Sequence, residues 1–310
     1  MTRRILLKGL LALPVLAHAS EPKTLRIGFQ KGGLLLLVKT RGVLEQLLAA
    51  QGWQLKWIEF PAGPALLEAL NVGAIDFGVT GAPPPVFAQA AGTQFVYVGA
   101  EPGAPGTEAI LVKPESAMRS VVDLKGKRIG LAKGSSSHYL LIRALTLAGL
   151  RYADIQPVFL PPADARAAFQ GGSIDAWVVW DPYLTIAQSA TQARLLSAPG
   201  LDTGAPWSFY EARREFTQAN PAIVRALVGW LGEAGAWANS HQAEAARILA
   251  PLLGLDEALA LKLQQRQHYG AVPTNAAIAA SQQAVADAFF ELKLIPRAVQ
   301  VRENFWPPLG

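Results

Sequence analysis

The chain contains no cysteine among its 310 residues, which excludes a disulfide scaffold, a thiol nucleophile and a cysteine metal site. Charge is also scarce, at 16% of residues, and its small excess is positive. The formal net charge is +5, but Arg3, Arg4 and Lys8 supply three of those units. The +2 left on the remaining body gives no strong field for nucleic acid or a membrane surface, and neither partner is expected. No His-Glu-x-x-His pair, acidic calcium-type loop, GxSxG elbow or GxGxxG turn occurs, and His241 and His268 stand alone. No cofactor and no metal are expected. Apolar runs stay below the roughly 18 residues needed to cross a bilayer as a helix.

The first nineteen residues have their own grammar. A basic start, a short apolar run interrupted by Pro14, and Ala17-His18-Ala19 read as a cleavable export signal (residues 1–19) cut after Ala19. Thr2-Arg3-Arg4-Ile5-Leu6-Leu7-Lys8 also resembles the twin-arginine export pattern, with an ordinary signal for unfolded export as the competing reading. The protein is therefore expected in the periplasm. With no disulfides available there, stability must come from its core, which about 290 residues suffice to build.

From Leu25 the pattern alternates. Leu25 to Phe29, Gln54 to Phe60, Ile75 to Val79 and Phe95 to Gly99 read as strands, with helices over Leu34 to Ala50, Gly63 to Val72 and Pro85 to Ala91. Glu101-Pro102-Gly103-Ala104-Pro105-Gly106 is a turn-rich junction. Beyond it, Ile110 to Lys113 is a candidate crossing strand, and a second alternating block follows. Its strands are Arg128 to Ala132, Val158-Phe159 and Ala176 to Trp180, and its helices are Ser136 to Ala148 and Ala163 to Phe169. The two blocks share a helix exit, Asn71-Val72-Gly73-Ala74-Ile75-Asp76 against Gln170-Gly171-Gly172-Ser173-Ile174-Asp175, without a strict repeat. The last third reads as helical, including Pro221 to Ser240 and Thr274 to Leu292. This pattern predicts two α/β lobes with a cleft between them: residues 20–107 as the first part of lobe I, 108–206 as lobe II, and 207–310 as the return to lobe I.

Chemistry is expected at the carboxyl ends of the strands. Gln30 ends the first strand with an amide that can donate and accept. Thr80 and Gly81 follow the third and lead into a proline-started helix. Gly134, Ser135, Ser136, Ser137 and His138 open the helix after Lys133. Backbone N–H groups, hydroxyls and the helix dipole meet there, a setting for a tetrahedral anion, although a serine-rich helix cap explains the same residues. The Gly-Lys order is inverted relative to a P-loop. A Ser-His catalyst would need convergence that serines within one turn do not easily provide. Trp180 offers an aromatic wall, Asp181 before Pro182 reads as a helix cap, and Phe209 is a second candidate apolar contact.

The strings LRIGFQKG, EFPAGPALLEALNVGAIDFG, KGSSSHYLLIRAL, DAWVVWDPY and SFYEA resemble, in order and over nearly the whole mature chain, the aliphatic sulfonate-binding proteins of ABC importers. These lie within the nitrate, sulfonate and taurine substrate-binding family. The resemblance implies a bilobal α/β, type II periplasmic-binding-protein fold with crossing strands that closes on its ligand by hinge bending. It implies capture of an alkanesulfonate as a monomer and delivery to an ABC permease with its ATPase. The family's anion pocket maps onto Gln30, Thr80, Gly81, the Gly134 to His138 helix start, and Trp180 with Asp181. The position after the Thr-Gly pair is acidic in sulfonate binders but is Ala82 here. Competing expectations are a receptor for nitrate, taurine or another small oxyanion, an enzyme on the same fold, and a transcription-factor effector lobe. The desulfinases that resemble these binders use a cysteine, which this chain lacks. An export signal stands where the transcription factor's DNA-binding helices would be.

Overall fold

A computed structural model describes residues 23–201 and 206–307. The export signal expected over residues 1–19 lies outside them. The described chain forms ten strands: β1 (Lys23–Gln30), β2 (Trp53–Phe60), β3 (Phe77–Gly81), β4 (Phe95–Glu101), β5 (Glu108–Val112), β6 (Arg128–Leu131), β7 (Gln156–Phe159), β8 (Ala176–Trp180), β9 (Arg194–Leu195) and β10 (Ser208–Arg213). They build two five-stranded sheets, ordered β2-β1-β3-β10-β4 and β7-β6-β8-β5-β9. The chain crosses between sheets twice, from β4 to β5 and from β9 to β10. β10 returns antiparallel between β3 and β4, and β5 runs antiparallel to β8. This is the bilobal α/β arrangement of type II periplasmic binding proteins.

Helices cover both faces of each sheet, so the inner strands, such as β3 and β8, are buried on both sides, while the edge strands β2 and β7 keep exposed positions. In β1, Leu25, Ile27 and Phe29 are buried on one face. On the other, Gly28 leaves space that a Cβ would have to share with Ile75 Cδ1, 2.6 Å away. Gly130 of β6 makes the same allowance for Ile174 in the second lobe. Each lobe thus seats its Ile-Asp helix exit on a strand glycine.

The following aspartates complete the pattern. Asp76 accepts Arg26 Nη2 (2.8 Å) and Nε (2.9 Å), and Arg26 Nη1 donates to Gly73 O. Asp175 accepts Arg128 Nη2 at 2.8 Å, and Arg128 donates to Gly172 O. The same clasp therefore pins the start of β1 in one lobe, and of β6 in the other, to the later helix exit that leads into the neighbouring strand, β3 or β8. Arg213 joins Asp76 from β10 at 3.0 Å, tying the return strand into the first clasp.

Leu34 to Val38 are buried together in the first helix, each contributing roughly 1.5–3 kcal/mol by leaving water. The single helix expected over Leu34 to Ala50 is two, Gly33–Arg41 and Val43–Ala49, because Gly42 takes φ 66° between them. That left-handed conformation ends a helix readily when no Cβ opposes it. The helices Pro221–Ser240, Gln242–Leu253, Glu257–Arg266 and Ala276–Glu291 pack on the first sheet and its rim. Among the described residues, no helix is long and apolar enough to cross a membrane.

Candidate functional site

The carboxyl ends of β1, β3, β6 and β8 face one another across a cleft with a cavity of ≈ 200 Å³. That volume suits a small organic molecule and no macromolecule. Of the sequence-predicted residues, Gln30, Thr80, Gly81, Ser135, Ser136, Trp180 and Asp181 line this cleft; Gly134, Ser137, His138 and Phe209 do not.

The division follows from the local periodicities. On the helix Ser136–Leu147, Ser136, Leu140 and Arg143 recur at i, i+4 and i+7 and face the cleft. Ser137 and His138 fall on the opposite side and are fully buried. His138 Nδ1 accepts the Gly134 N–H (3.1 Å), and its Nε2 lies 2.8 Å from Tyr152 Oη. Burial, with Lys133 nearby, pushes its pKa down to about 4. The imidazole is a neutral clamp on the turn before the helix. On β10, strand alternation turns Ser208 toward the cleft and Phe209 into the core, edge-on to Tyr97 at 4.9 Å.

The lobes touch at the cleft mouth. A Cβ on Gly81 would stand 2.9 Å from Ser136 Cβ across the cleft, and one on Gly32 would stand 2.9 Å from Pro182 Cδ. A glycine with no side chain allows the helix start at Ser136 to approach the end of β3. Ser135 spends its hydroxyl on Ala132 O (2.7 Å) and meets Ser137 Oγ at 2.8 Å. Ser136 keeps its hydroxyl toward the cleft, where it bonds the recessed carboxyl of Glu108.

Three further lining residues have prior engagements. Thr80 Oγ1 meets Glu211 Oε1 at 2.7 Å. Burial raises the Glu211 pKa well above the ordinary carboxyl value. Asp181 Oδ1 accepts the Thr185 N–H (3.0 Å) and hydroxyl (2.6 Å), while Oδ2 accepts Arg266 Nη2 at 2.7 Å. Gln30 Nε2 donates to Val79 O at 3.1 Å.

Sequence reasoning missed Glu101, Glu108 and Arg143, all of which line the cleft. Glu101 accepts Tyr210 Oη–H (3.1 Å) and Gly270 N–H (3.3 Å), and burial nevertheless pushes it up to about 7. Burial pushes Glu108 up to about 7 as well, against the opposing pull of Ser136 and Arg143. A signal for both existed: they bracket the Pro-Gly junction that marks the crossing between lobes. Arg143 was legible only as the i+7 partner of Ser136. The arrangement offers an anion a helix N-terminus, a hydroxyl and one guanidinium between apolar walls from Trp180 and Trp207. Among the described residues, no group of three or more His, Cys, Asp or Glu could hold a metal ion.

Two α/β lobes, a double crossing and a small polar cleft at the strand ends define a bilobal solute-binding protein. The chain belongs to the NMT1-like family, whose model matches residues 18–254. It is 45% identical, over 98% of its length and 96% of the relative's, to a protein of Escherichia coli (strain K12) named for binding aliphatic sulfonates. Among solved structures it resembles the alkanesulfonate-binding protein SsuA from Xanthomonas axonopodis pv. citri bound to MOPS. The TM-score is 0.88 at 42% identity, covering 94% of this chain and 100% of that one. The periplasmic aliphatic sulphonate binding protein SsuA from Escherichia coli is similar at TM-score 0.81 and 45% identity, covering 92% and 98%.

Proposed function

We propose that this protein is the periplasmic receptor of an ABC importer, capturing aliphatic sulfonates in the interlobe cleft and delivering them to a permease with its ATPase. The observation that carries the reading is the opposition of Gly81 and the Ser136 helix start, with Arg143 two turns along the same face. A sulfonate is ionised throughout the physiological pH range. Backbone N–H groups, the Ser136 hydroxyl and Arg143 meet its three oxygens without testing for a proton. Its tail leaves water against Trp180 and Trp207, at about 25 cal/mol per Å² of apolar area buried.

The protein binds and releases its ligand without transforming it. His138 is turned away from the cleft, with its Nδ1 spent on the Gly134 N–H, so no Ser-His pair forms at Ser136. It works as a monomer, reaches the periplasm through a cleavable signal over residues 1–19, and closes by hinge motion about the two crossings. Titration calorimetry of the mature chain with n-alkanesulfonates, nitrate, taurine and sulfate tests the proposal. Sulfonate binding at micromolar or tighter affinity, with little heat from nitrate, supports it; tight nitrate binding without sulfonate heat overturns it. Light scattering reads the oligomeric state in the same samples.

A further inference from the structure

Behind the anion-facing end of β3 lies a carboxyl that does not line the cleft. Glu211 of β10 is fully buried, its Oε1 sits 2.7 Å from Thr80 Oγ1, and its Oε2 has no hydrogen-bond partner among the described residues. No cation is among the groups that act on it, and burial holds its pKa well above the ordinary carboxyl value. The titratable groups beside it are the hydroxyls of Tyr97 and Tyr210, which burial likewise keeps protonated. An ionised carboxylate in that setting would leave one oxygen unpaired and its charge without a counter-ion, a cost that protonation removes.

A proton count gives this carboxyl a role. Thr80 Oγ1 lies 2.7 Å from Glu211 Oε1 and 3.0 Å from Gly81 O, but a hydroxyl has one proton to donate. Both contacts are hydrogen bonds only if Glu211 supplies the first: the acid donates to Thr80 Oγ1, and Thr80 donates to Gly81 O. The peptide from Gly81 to Ala82 is trans, so a carbonyl held on the core side turns the Ala82 N–H the other way, toward the cleft that both residues line. That donor carries weight because the next three residues, Pro83, Pro84 and Pro85, have no N–H, and the helix they begin adds none there.

Resting on the receptor reading above, we infer that Glu211 is a positioning residue of the anion site: a buried carboxylic acid that, through Thr80, aims the Ala82 N–H at the sulfonate. Its neutral form serves twice. It completes a chain of donors, each polarised toward the bound anion, and it places no negative charge behind the site. An ionised Glu211 would take the Thr80 proton, release Gly81 O and repel the ligand.

Infrared spectroscopy and calorimetry with n-butanesulfonate test this. At about pH 9, where Glu101 and Glu108 are ionised, the mature protein is expected to keep the carbonyl stretch of a protonated carboxyl, and Glu211→Gln to lose it. The amide of Glu211→Gln donates to Thr80 in place of the acid, so its affinity is expected within about twofold of the parent's. Glu211→Met, of similar length but with no donor, and Thr80→Val are each expected to bind about tenfold more weakly. The double variant is expected to lose no more than either single one, because both act through the Gly81 carbonyl, whereas independent packing losses would multiply. The inference is overturned, and the receptor reading left intact, by the absence of that band in the parent, by loss of binding in Glu211→Gln, by parental affinity in Glu211→Met or Thr80→Val, or by losses that multiply. Circular dichroism checks each fold; if Glu211→Met does not fold, the infrared band and the Glu211→Gln and Thr80→Val affinities decide. If the parent binds no sulfonate, the receptor reading itself fails.

Discussion

Asp181 and Arg266 join the two lobes by an ion pair in which Asp181 Oδ2 accepts Nη2 at 2.7 Å and Nε at 3.1 Å. The Asp181 side chain is fully buried, while Arg266 is partly open to solvent. Asp181 follows the last residue of β8, and Arg266 ends a helix packed against lobe I. The pair exists only when the lobes are together, so it stabilises the closed form specifically. Removing one partner would leave a buried charge uncompensated there, while in the open form water solvates it. Arg266→Ala is expected to weaken ligand affinity about 10- to 100-fold, or about 1–3 kcal/mol, largely through faster release. Calorimetry and stopped-flow dissociation measure this; small-angle scattering would show the ligand-bound variant more extended than the parent.

Gly81 makes a second condition for closure. Its backbone conformation is ordinary, so alanine costs lobe I little by itself. The added Cβ would meet Ser136 Cβ at 2.9 Å, closer than two such atoms tolerate. Gly81→Ala is therefore expected to cut ligand affinity by an order of magnitude or more while thermal stability without ligand changes little. A large loss of stability without ligand would show that the contact matters to folding and not to closure.

His138 should leave a signature in the pH dependence of stability. Its folded-state pKa is lowered to about 4, chiefly by burial. The neutral form accepts from Gly134 at Nδ1, and a second proton would break that bond. As pH falls below the ordinary histidine value near 6.5, the unfolded chain takes up a proton that the folded chain refuses. Stability is lost between about pH 6.5 and about pH 4, by about 3 kcal/mol for this group. Urea unfolding across that range measures the loss. His138→Gln is expected to flatten this part of the profile, and an unchanged profile would assign it to the carboxylates.

The sequence carried the lobes more clearly than the cleft. The helix exits at Ile75-Asp76 and Ile174-Asp175 are visible as similar text, and both become the Arg-Asp clasps that anchor β1 and β6. Their partners, Arg26-Ile27-Gly28 and Arg128-Ile129-Gly130, repeat just as plainly. They are harder to connect because each clasp closes across about 50 residues. Strand ends were legible because apolar runs stop there, which located Gln30, Thr80, Gly81 and Trp180. What sequence spacing could not supply was the direction of each side chain. Ser136 and His138 are two residues apart on one helix, and only the first faces the cleft. Glu101 and Arg143 come into the site from a junction and from mid-helix, where tertiary packing alone decides.

Ser136 allows binding to be changed with little change in stability. It is the first residue of the helix running to Leu147 and lines the cleft. Placed there, a carboxylate interacts favourably with the free N–H groups and positive end of the helix, worth about 0.3–1 kcal/mol. The same charge would sit where the sulfonate is expected and beside Glu108, competing for the donors and repelling the ligand. Ser136→Asp is accordingly expected to leave the melting temperature without ligand near the parent's, the helix-end gain being offset by the lost bond to Glu108 and the two adjacent carboxyls, and to weaken sulfonate binding at least about 100-fold. Scanning calorimetry and titration calorimetry on one preparation check both halves. Ser136→Ala separates charge from hydroxyl: losing one neutral donor is expected to cost about 1 kcal/mol, or about fivefold in affinity. If Ser136→Asp binds sulfonate as tightly as the parent, the anion does not sit at this helix start.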